Sequence, residues 1–141
     1  MMEELVSGIL ATVAYAATGL VVLVVGYAML DVITPGRLRQ LVFAERNVNA
    51  TTVVSANILA LTMIVTMAIL ESDDVLSRGL VQAAAYGLLG VVLQVVSFKI
   101  LDVVTPGHLG RIITHERPDP AAAVVAVISL AMGAVFAASI T

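Results

Sequence analysis

Two carboxylates at matching positions of a repeated motif are the residues of this chain best suited to chemistry. Asp31 lies in residues 30–36 and Asp102 in residues 101–107, which repeat the first segment 71 positions later. Two carboxylates that lie close together can bind a cation or share a proton. The alternative is that both only anchor helices at the edge of a membrane, and the sequence leaves the two readings open.

Other reactive groups are scarce. The chain has no cysteine, which excludes disulfides, thiolate catalysis and cysteine-ligated metals. His108 and His115 are seven positions apart and lack the companions of a zinc site. We therefore expect no enzyme activity, no metal and no cofactor. The net charge of −3 comes without a basic face, so we expect no nucleic-acid partner either.

The composition predicts a membrane protein. Of the 141 residues, 60% are hydrophobic and 12% are charged, and the mean hydropathy is +1.08. Soluble domains carry roughly 25% charged residues. The first apolar run follows Glu3 and Glu4 and is too long for a signal peptide, so we expect a first span there. Four runs reach the ~20 residues that cross a bilayer: residues 5–30, 50–70, 79–101 and 121–141.

The repeat predicts the topology of a single transmembrane domain, residues 1–141. Each copy, about residues 5–70 and 79–141, contains two spans joined by a connector. Two spans return the chain to its starting side, so the second copy enters the membrane in the orientation of the first. We predict an all-α membrane protein with four transmembrane helices, built as two tandem parallel two-helix repeats, each with a short cytoplasmic interfacial helix.

The charges predict which side of the membrane holds the connectors. The first connector (residues 31–49) and the second connector (residues 102–120) are rich in arginine, whereas the opposite ends are acidic. The positive-inside rule places both connectors in the cytoplasm and both termini outside. The basic residues are Arg37, Arg39, Arg46, Arg111 and Arg117; the opposite side has Glu3, Glu4, Glu71, Asp73 and Asp74, with Arg78.

Each connector is expected to form a short helix. A residue that precedes proline is disfavoured in a helix, so the first span should end near residue 33. Threonine is a good helix N-cap, which predicts that Thr34 and Thr105 cap the connector helices. A reverse turn without a helix is the alternative. The apolar residues that follow have helical spacing, and they are Leu38, Leu41 and Val42 in the first copy and Leu109, Ile112 and Ile113 in the second.

The two aspartates oppose the dipoles of the helices that they end, so each should have a partner. Lys99 precedes Asp102 by three positions, which predicts an ion pair in the second copy. The first copy has Ala28 at that place, so we expect Asp31 to contact a connector arginine.

Small residues recur every seven positions in the first and third spans. Small side chains let helix backbones approach closely, so these stripes predict a packing seam between the two spans. A pore-lining role for the glycines is the alternative. The matching residues are Thr12, Gly19 and Gly26 in the first span and Ala83, Gly90 and Ser97 in the third.

Polar side chains inside the spans predict either helix–helix hydrogen bonds or a wet path. Asn57 and Gln94 are the most polar groups at depth, and we expect them to face protein rather than lipid. Thr62 belongs to a polar stripe on the second span. Gly133 belongs to a small-residue face of the fourth span that suits another helix or another protomer.

The duplicated span pair, with Asp-x-x-Thr-Pro-Gly-x-Leu and a downstream glutamate, resembles the bacterial Domain of Unknown Function 350 family over about residues 15–140. The resemblance implies a multi-pass protein of the bacterial plasma membrane, and some relatives are encoded beside envelope-stress proteins. The family's asparagine before the second span is matched by Asn47 or Asn49, and the second copy has none. The matching positions are Asp31, Thr34, Pro35, Gly36, Leu38 and Glu45, then Asp102, Thr105, Pro106, Gly107, Leu109 and Glu116.

Two functions fit these features. The first is a small channel or transporter, which would require a homo-oligomer because four spans leave little room for a pore. The second is a membrane scaffold or envelope-stress regulator that uses Arg37, Arg39 and Arg111 to hold anionic lipid or a cytoplasmic protein partner. The lipid bilayer is the expected partner in both cases.

Overall fold

The protein is a bundle of helices in the computed structural model, which describes residues 1–34, 37–106 and 109–140. The α-helices are α1 (Met2–Ile33), α2 (Val48–Leu70), α3 (Leu76–Val104), α4 (Leu109–Thr114) and α5 (Pro120–Ser139). A π-helical turn, Gln40–Ala44, lies between α1 and α2. The helices α1, α2, α3 and α5 are long and apolar enough to cross a membrane, which confirms the four predicted spans.

The first and third spans end at the threonine that precedes proline. Thr34 and Thr105 adopt an extended backbone, with ψ of 126° and 125°, as the steric effect of a following proline requires. Their hydroxyls donate to the carbonyls of Leu30 and Leu101 at 2.7 and 2.6 Å. The prediction that these threonines cap the connector helices is therefore wrong, because their hydroxyls close the preceding helices.

The second and fourth spans begin at side-chain caps. Asn47 accepts the main-chain N–H of Ala50 at 3.1 Å at the start of α2. Asp119 accepts the N–H of Ala121 at 2.9 Å at the start of α5, where Pro120 occupies the first helical position. Both caps satisfy amides that the first turn of a helix leaves free.

The helix α2 lies at the centre of the bundle. It packs against α1, α3, α5 and both connector segments, most extensively against α5. Half of its most apolar stretch is buried, compared with 11% for α1, so α1 presents most of its surface outward. At Gly133 of α5 a Cβ atom would lie 2.6 Å from Cα of Ala60, which shows how closely α5 approaches α2. The predicted small-residue face of the fourth span therefore packs on α2.

The small residues of the first and third spans also face α2. A Cβ atom at Gly19 would meet Val65, and one at Gly26 would lie 2.7 Å from Leu61. Gly90 faces Ile64 of the same helix. The predicted seam between the first and third spans is present, because α1 and α3 pack against each other and a Cβ atom at Gly26 would also lie 3.3 Å from Val91 of α3. The sequence did not predict that bulky α2 residues also fill the space that the glycines leave.

The two connectors fold differently. The second connector forms the predicted α-helix, α4, whereas the first forms the π-helical turn, closed by the Glu45 N–H donating to the Gln40 carbonyl at 3.0 Å. The apolar residues of both segments pack into the protein core, which fixes these segments against the spans. The fully buried members are Leu38 and Leu41 in the first connector and Leu109 and Ile113 in the second.

Candidate functional site

Asn49, in the first turn of α2, joins the two connectors. Its side-chain amide donates to the main-chain carbonyls of His115 at 3.1 Å and Arg117 at 2.8 Å. Its side-chain oxygen accepts the main-chain N–H of Asp119 at 2.9 Å. Asn49 is 2% exposed, and a substitution that removed its side chain would break three part-buried hydrogen bonds.

Asn47 adds a fourth bond between the connectors, because its side-chain amide donates to the same His115 carbonyl at 3.1 Å. The two connectors therefore lie side by side at one end of the bundle. We call this region, residues 37–49 and 109–119, the connector end. Both asparagines contact main-chain groups of the second copy, so the second copy needs no matching asparagine.

The main chain of each connector binds the aspartate of the same copy. Asp31 accepts the N–H of Arg39 at 3.3 Å, and Asp102 accepts the N–H of Leu109 at 2.8 Å. Within the described ranges Asp102 forms no ion pair with Lys99, so that prediction is wrong. The contact of Asp31 is to the main chain of an arginine rather than to its guanidinium group. No hydrogen bond joins the two carboxylates in this part of the chain, and a shared ion or proton site stays a prediction.

The arginine side chains of the connector end are exposed and free of acidic partners among the residues that the structure describes. The aspartates at this end, Asp31, Asp102 and Asp119, are bound by main-chain N–H groups instead. Guanidinium groups without carboxylate partners are suited to phosphate-bearing anions. The five arginines are Arg37, Arg39, Arg46, Arg111 and Arg117.

Two of these arginines occupy a backbone conformation that disfavours side chains. Arg37 has φ of 57° and Arg46 has φ of 51°, in the left-handed region where glycine or asparagine is more stable by roughly 1 kcal/mol. Such strain marks both positions as candidates for a role of the arginine side chain.

The rest of the repeated motif is only partly described. Glu45, Glu116 and Pro106 are exposed at the connector end. Pro35, Gly36, Gly107 and His108, together with Thr141, lie outside the described residues. Among the residues that the structure describes, no group of three or more His, Cys, Asp or Glu side chains could hold a metal ion.

Asn57 and Gln94 form a buried polar link among three spans. The side-chain amide of Gln94 donates to Oδ1 of Asn57 at 3.0 Å and to the main-chain carbonyl of Ser129 at 3.2 Å. The side-chain amide of Asn57 donates to the carbonyl of Val53 at 2.9 Å. Both side chains are buried, at 1% and 2% exposed, in agreement with the expectation that they face protein. This arrangement favours helix attachment over a wet path.

Thr62 lies apart from that link. It is on the exposed surface of α2, where its hydroxyl donates to the carbonyl of Ile58 at 2.8 Å. A hydroxyl that is satisfied within its own helix can face lipid at little cost. The three polar residues singled out in the spans therefore belong to two surfaces, one buried and one exposed.

Reasoning from the sequence missed the contribution of Asn49. A usable signal was present, because Asn47 and Asn49 stand together at the start of an apolar span. Polar side chains at such a place are costly unless they are hydrogen-bonded. Their partners could not be found this way, because main-chain carbonyls carry no sequence signature.

Four apolar helices with both connectors joined at one end define a multi-span helical membrane protein. Residues 4–140 match the family described as Domain of Unknown Function (DUF350), and the chain belongs to this family, as the repeated motif suggested.

The relatives are transmembrane proteins. A UPF0719 transmembrane protein of Mycolicibacterium paratuberculosis is 39% identical over 140 residues, which cover 99% of this chain and 93% of the relative. A UPF0719 transmembrane protein of Mycobacterium bovis is 38% identical over 140 residues, covering 99% of this chain and 92% of the relative. No solved structure matches the chain.

The link between Asn57 and Gln94 predicts a measurable coupling. Asn57→Leu and Gln94→Leu should each destabilise the bundle, because each leaves a buried polar group of the other residue without its partner. The double variant should lose less stability than the sum of the two, with a coupling free energy of about 1 kcal/mol, as for other hydrogen bonds between spans. Reversible unfolding in mixed micelles, followed by circular dichroism, measures all four proteins. Strictly additive losses would show that the link contributes nothing.

Proposed function

We propose that the protein is a membrane scaffold that gathers anionic lipid around its connector end. The observation that carries the proposal is the set of exposed arginines without acidic partners in the described part of the chain. A basic residue near an anionic membrane surface contributes about 1 kcal/mol, and clusters of roughly 4–8 such residues beside a span are typical of lipid-binding surfaces. A cytoplasmic protein partner at the same surface is the competing occupant.

The same proposal places the connector end in the cytoplasm of a bacterium, with the protein in the plasma membrane and both termini outside. The support is the distribution of arginine in the sequence, since five arginines lie in the connectors and one, Arg78, lies at the other end. Phe43 is 74% exposed beside the arginines, as an aromatic side chain at a membrane–water interface would be. The connectors would then meet the anionic surface of the inner leaflet.

Cysteine labelling tests this orientation, because the chain has no cysteine of its own. Glu45→Cys and Asp74→Cys place one thiol at exposed positions on opposite ends. A membrane-impermeant maleimide added to intact cells should label Asp74→Cys and leave Glu45→Cys unlabelled until the membrane is permeabilised. The reverse pattern would contradict the proposed orientation.

Lipid enrichment tests the scaffold proposal. The unaltered protein is reconstituted into vesicles of phosphatidylglycerol and phosphatidylcholine, and an amphipathic polymer then cuts out membrane discs that contain the protein and its neighbouring lipids. These discs should contain a larger fraction of phosphatidylglycerol than the surrounding membrane. Replacing Arg37, Arg46, Arg111 and Arg117 with glutamine should bring the disc most of the way to the bulk composition, since four of the charges that attract the lipid are gone. Raising the salt concentration should act in the same direction, because salt screens exposed charges.

Arg78→Gln is the matched control, because Arg78 is exposed on the opposite side of the bundle. It should leave the enrichment unchanged. If discs of the unaltered protein have the lipid composition of the bulk membrane, the lipid proposal is contradicted. The arginine surface would then be interpreted as the binding site of a cytoplasmic protein partner.

A channel or transporter is the second candidate, and a groove on the outside of the bundle favours it. The groove has a volume of about 580 Å³ between α2 and α5, and Thr62 and Thr66 supply its hydroxyls. Because the groove is on the surface of one chain, it could enclose a path only against a second copy, so this function requires a homo-oligomer. The remaining wall residues include Met63, Met67, Ala134 and Ala137.

Ion flux into liposomes separates the two candidates. If the groove is a path, Thr62→Val should lower the flux at least several-fold, because it removes a hydroxyl from the wall while keeping the shape of the side chain. Thr52→Val is the matched control, since Thr52 is a partly exposed residue of α2 that also donates to its own helix, but lies outside the groove. Asp31→Asn with Asp102→Asn tests the carboxylates, because asparagine keeps an acceptor for the connector amides. Flux no higher than in empty liposomes would eliminate the channel.

A further inference from the structure

A cavity of about 400 Å³ opens between α1, α2 and the first connector. Its size lies within the range of ~300–1,000 Å³ that is typical of small-ligand sites. Apolar side chains form most of its wall, and Arg39 stands at its edge. The apolar wall residues are Val42, Phe43, Val54 and Ile58.

The cavity contains polar groups that the protein itself leaves unused. The hydroxyl of Tyr27 is buried, and no described residue forms a hydrogen bond with it. A buried polar atom without a partner is uncommon in proteins and calls for an explanation, such as a bound ligand or water. The hydroxyl of Thr51 donates to the carbonyl of Asn47 at 2.8 Å, which leaves its oxygen able to accept a bond. Ser55 adds another hydroxyl to the wall.

The second copy of the repeat lacks every one of these polar groups. At the positions 71 residues later the chain has Phe98 for Tyr27, Gly110 for Arg39, Ala122 for Thr51 and Ala126 for Ser55. Phe98, Ala122 and Ala126 are buried in the bundle. Packing at these places therefore does not require polar side chains, and their presence in the first copy alone points to a ligand.

Arg39 and Phe43 also line a second, outer cleft of about 550 Å³. Arg37 and Gln40 supply its polar groups, so a polar cleft and an apolar cavity lie on either side of the same two residues. A polar, basic cleft beside an apolar cavity matches the two parts of an amphiphile, an anionic head and a hydrocarbon chain. The nearby carboxylate of Asp31 accepts the main-chain N–H of Arg39 and leaves the guanidinium group free for the head.

We infer that the cavity binds one anionic phospholipid. Its phosphate contacts the guanidinium group of Arg39 and the hydroxyl of Tyr27, and an acyl chain lies along Val54 and Ile58. The inference deepens the proposed function, on which it rests, because it adds a single shaped site to a surface that otherwise attracts lipid by charge alone.

A tryptophan reporter tests the site. The chain has no tryptophan, so Phe43→Trp places a single fluorophore at the junction of the cleft and the cavity. Reconstitution into vesicles with brominated phosphatidylglycerol or brominated phosphatidylcholine gives the relative affinity of the two lipids from quenching. We expect a several-fold preference for phosphatidylglycerol, and inorganic phosphate in the buffer should not reduce it. Loss of the preference on adding phosphate would show that the site takes a free anion instead.

Two variants should remove the preference at the reporter. Tyr27→Phe deletes the hydroxyl and keeps the ring, and Ser55→Leu fills the cavity with a side chain. Tyr86→Phe is the matched control, because Tyr86 lies beside a different cavity with Phe136 and Ile140, and it should leave the preference intact. An unchanged preference in both Tyr27→Phe and Ser55→Leu would overturn the inference.

A variant in which only Arg46, Arg111 and Arg117 are replaced with glutamine keeps Arg37 and Arg39 of the cleft and the whole cavity, so it separates the two proposals. A preference at the reporter that survives in this variant and is lost in Tyr27→Phe supports the cavity, whatever happens to the lipids of the whole disc. Enrichment in the disc without any preference at the reporter would overturn the cavity and leave the scaffold proposal standing.

Discussion

The main-chain polar groups of the second connector need partners, and Asn49 provides them. Residues 115–119 form no regular helix, so their carbonyls and amides form no main-chain hydrogen bonds with one another, and within the segment the Arg117 N–H donates only to the side chain of His115, at 3.3 Å. Unpaired polar groups near hydrocarbon are costly. Three hydrogen bonds from one buried side chain solve this problem. They also bring the two connectors to one end of the bundle, which places the arginines of both copies on a common surface.

The same helix that carries Asn49 organises the rest of the bundle. α2 carries Asn57, which receives the hydrogen bond of Gln94, and bulky residues such as Ile64, which occupy the space beside the glycines of the other spans. The two copies of the repeat therefore share a motif but not a role. The second span of the first copy, α2, lies at the centre of the bundle. The matching span of the second copy, α5, has no side chain at Gly133, which lets it pack closely against α2.

The sequence predicted what depends on long runs and local sterics, and failed where a contact joins distant parts of the chain. Apolar length gave the four spans, and Thr34 before Pro35 gave the end of the first. The threonines before proline were wrongly predicted to cap the connector segments, because threonine and aspartate can both accept main-chain N–H bonds. Which of the two residues does so depends on the path of the chain. The seven-residue stripe of Gly19 and Gly26 predicted a close helix contact correctly but could not identify α2 as a further partner. Tyr27 was overlooked because a tyrosine in a span is unremarkable until its hydroxyl has no partner.

Hydrogen exchange at the main-chain amide of Asp119 reports whether Asn49 holds the two connectors together. This residue precedes α5, so its amide has no acceptor within a helix and owes its bond to Asn49. We expect the Asp119 amide to exchange slowly in the unaltered protein and as fast as an open loop in Asn49→Ala, with the interior of α5 still protected. Fast exchange of this amide in the unaltered protein would show that Asn49 does not hold the connectors together.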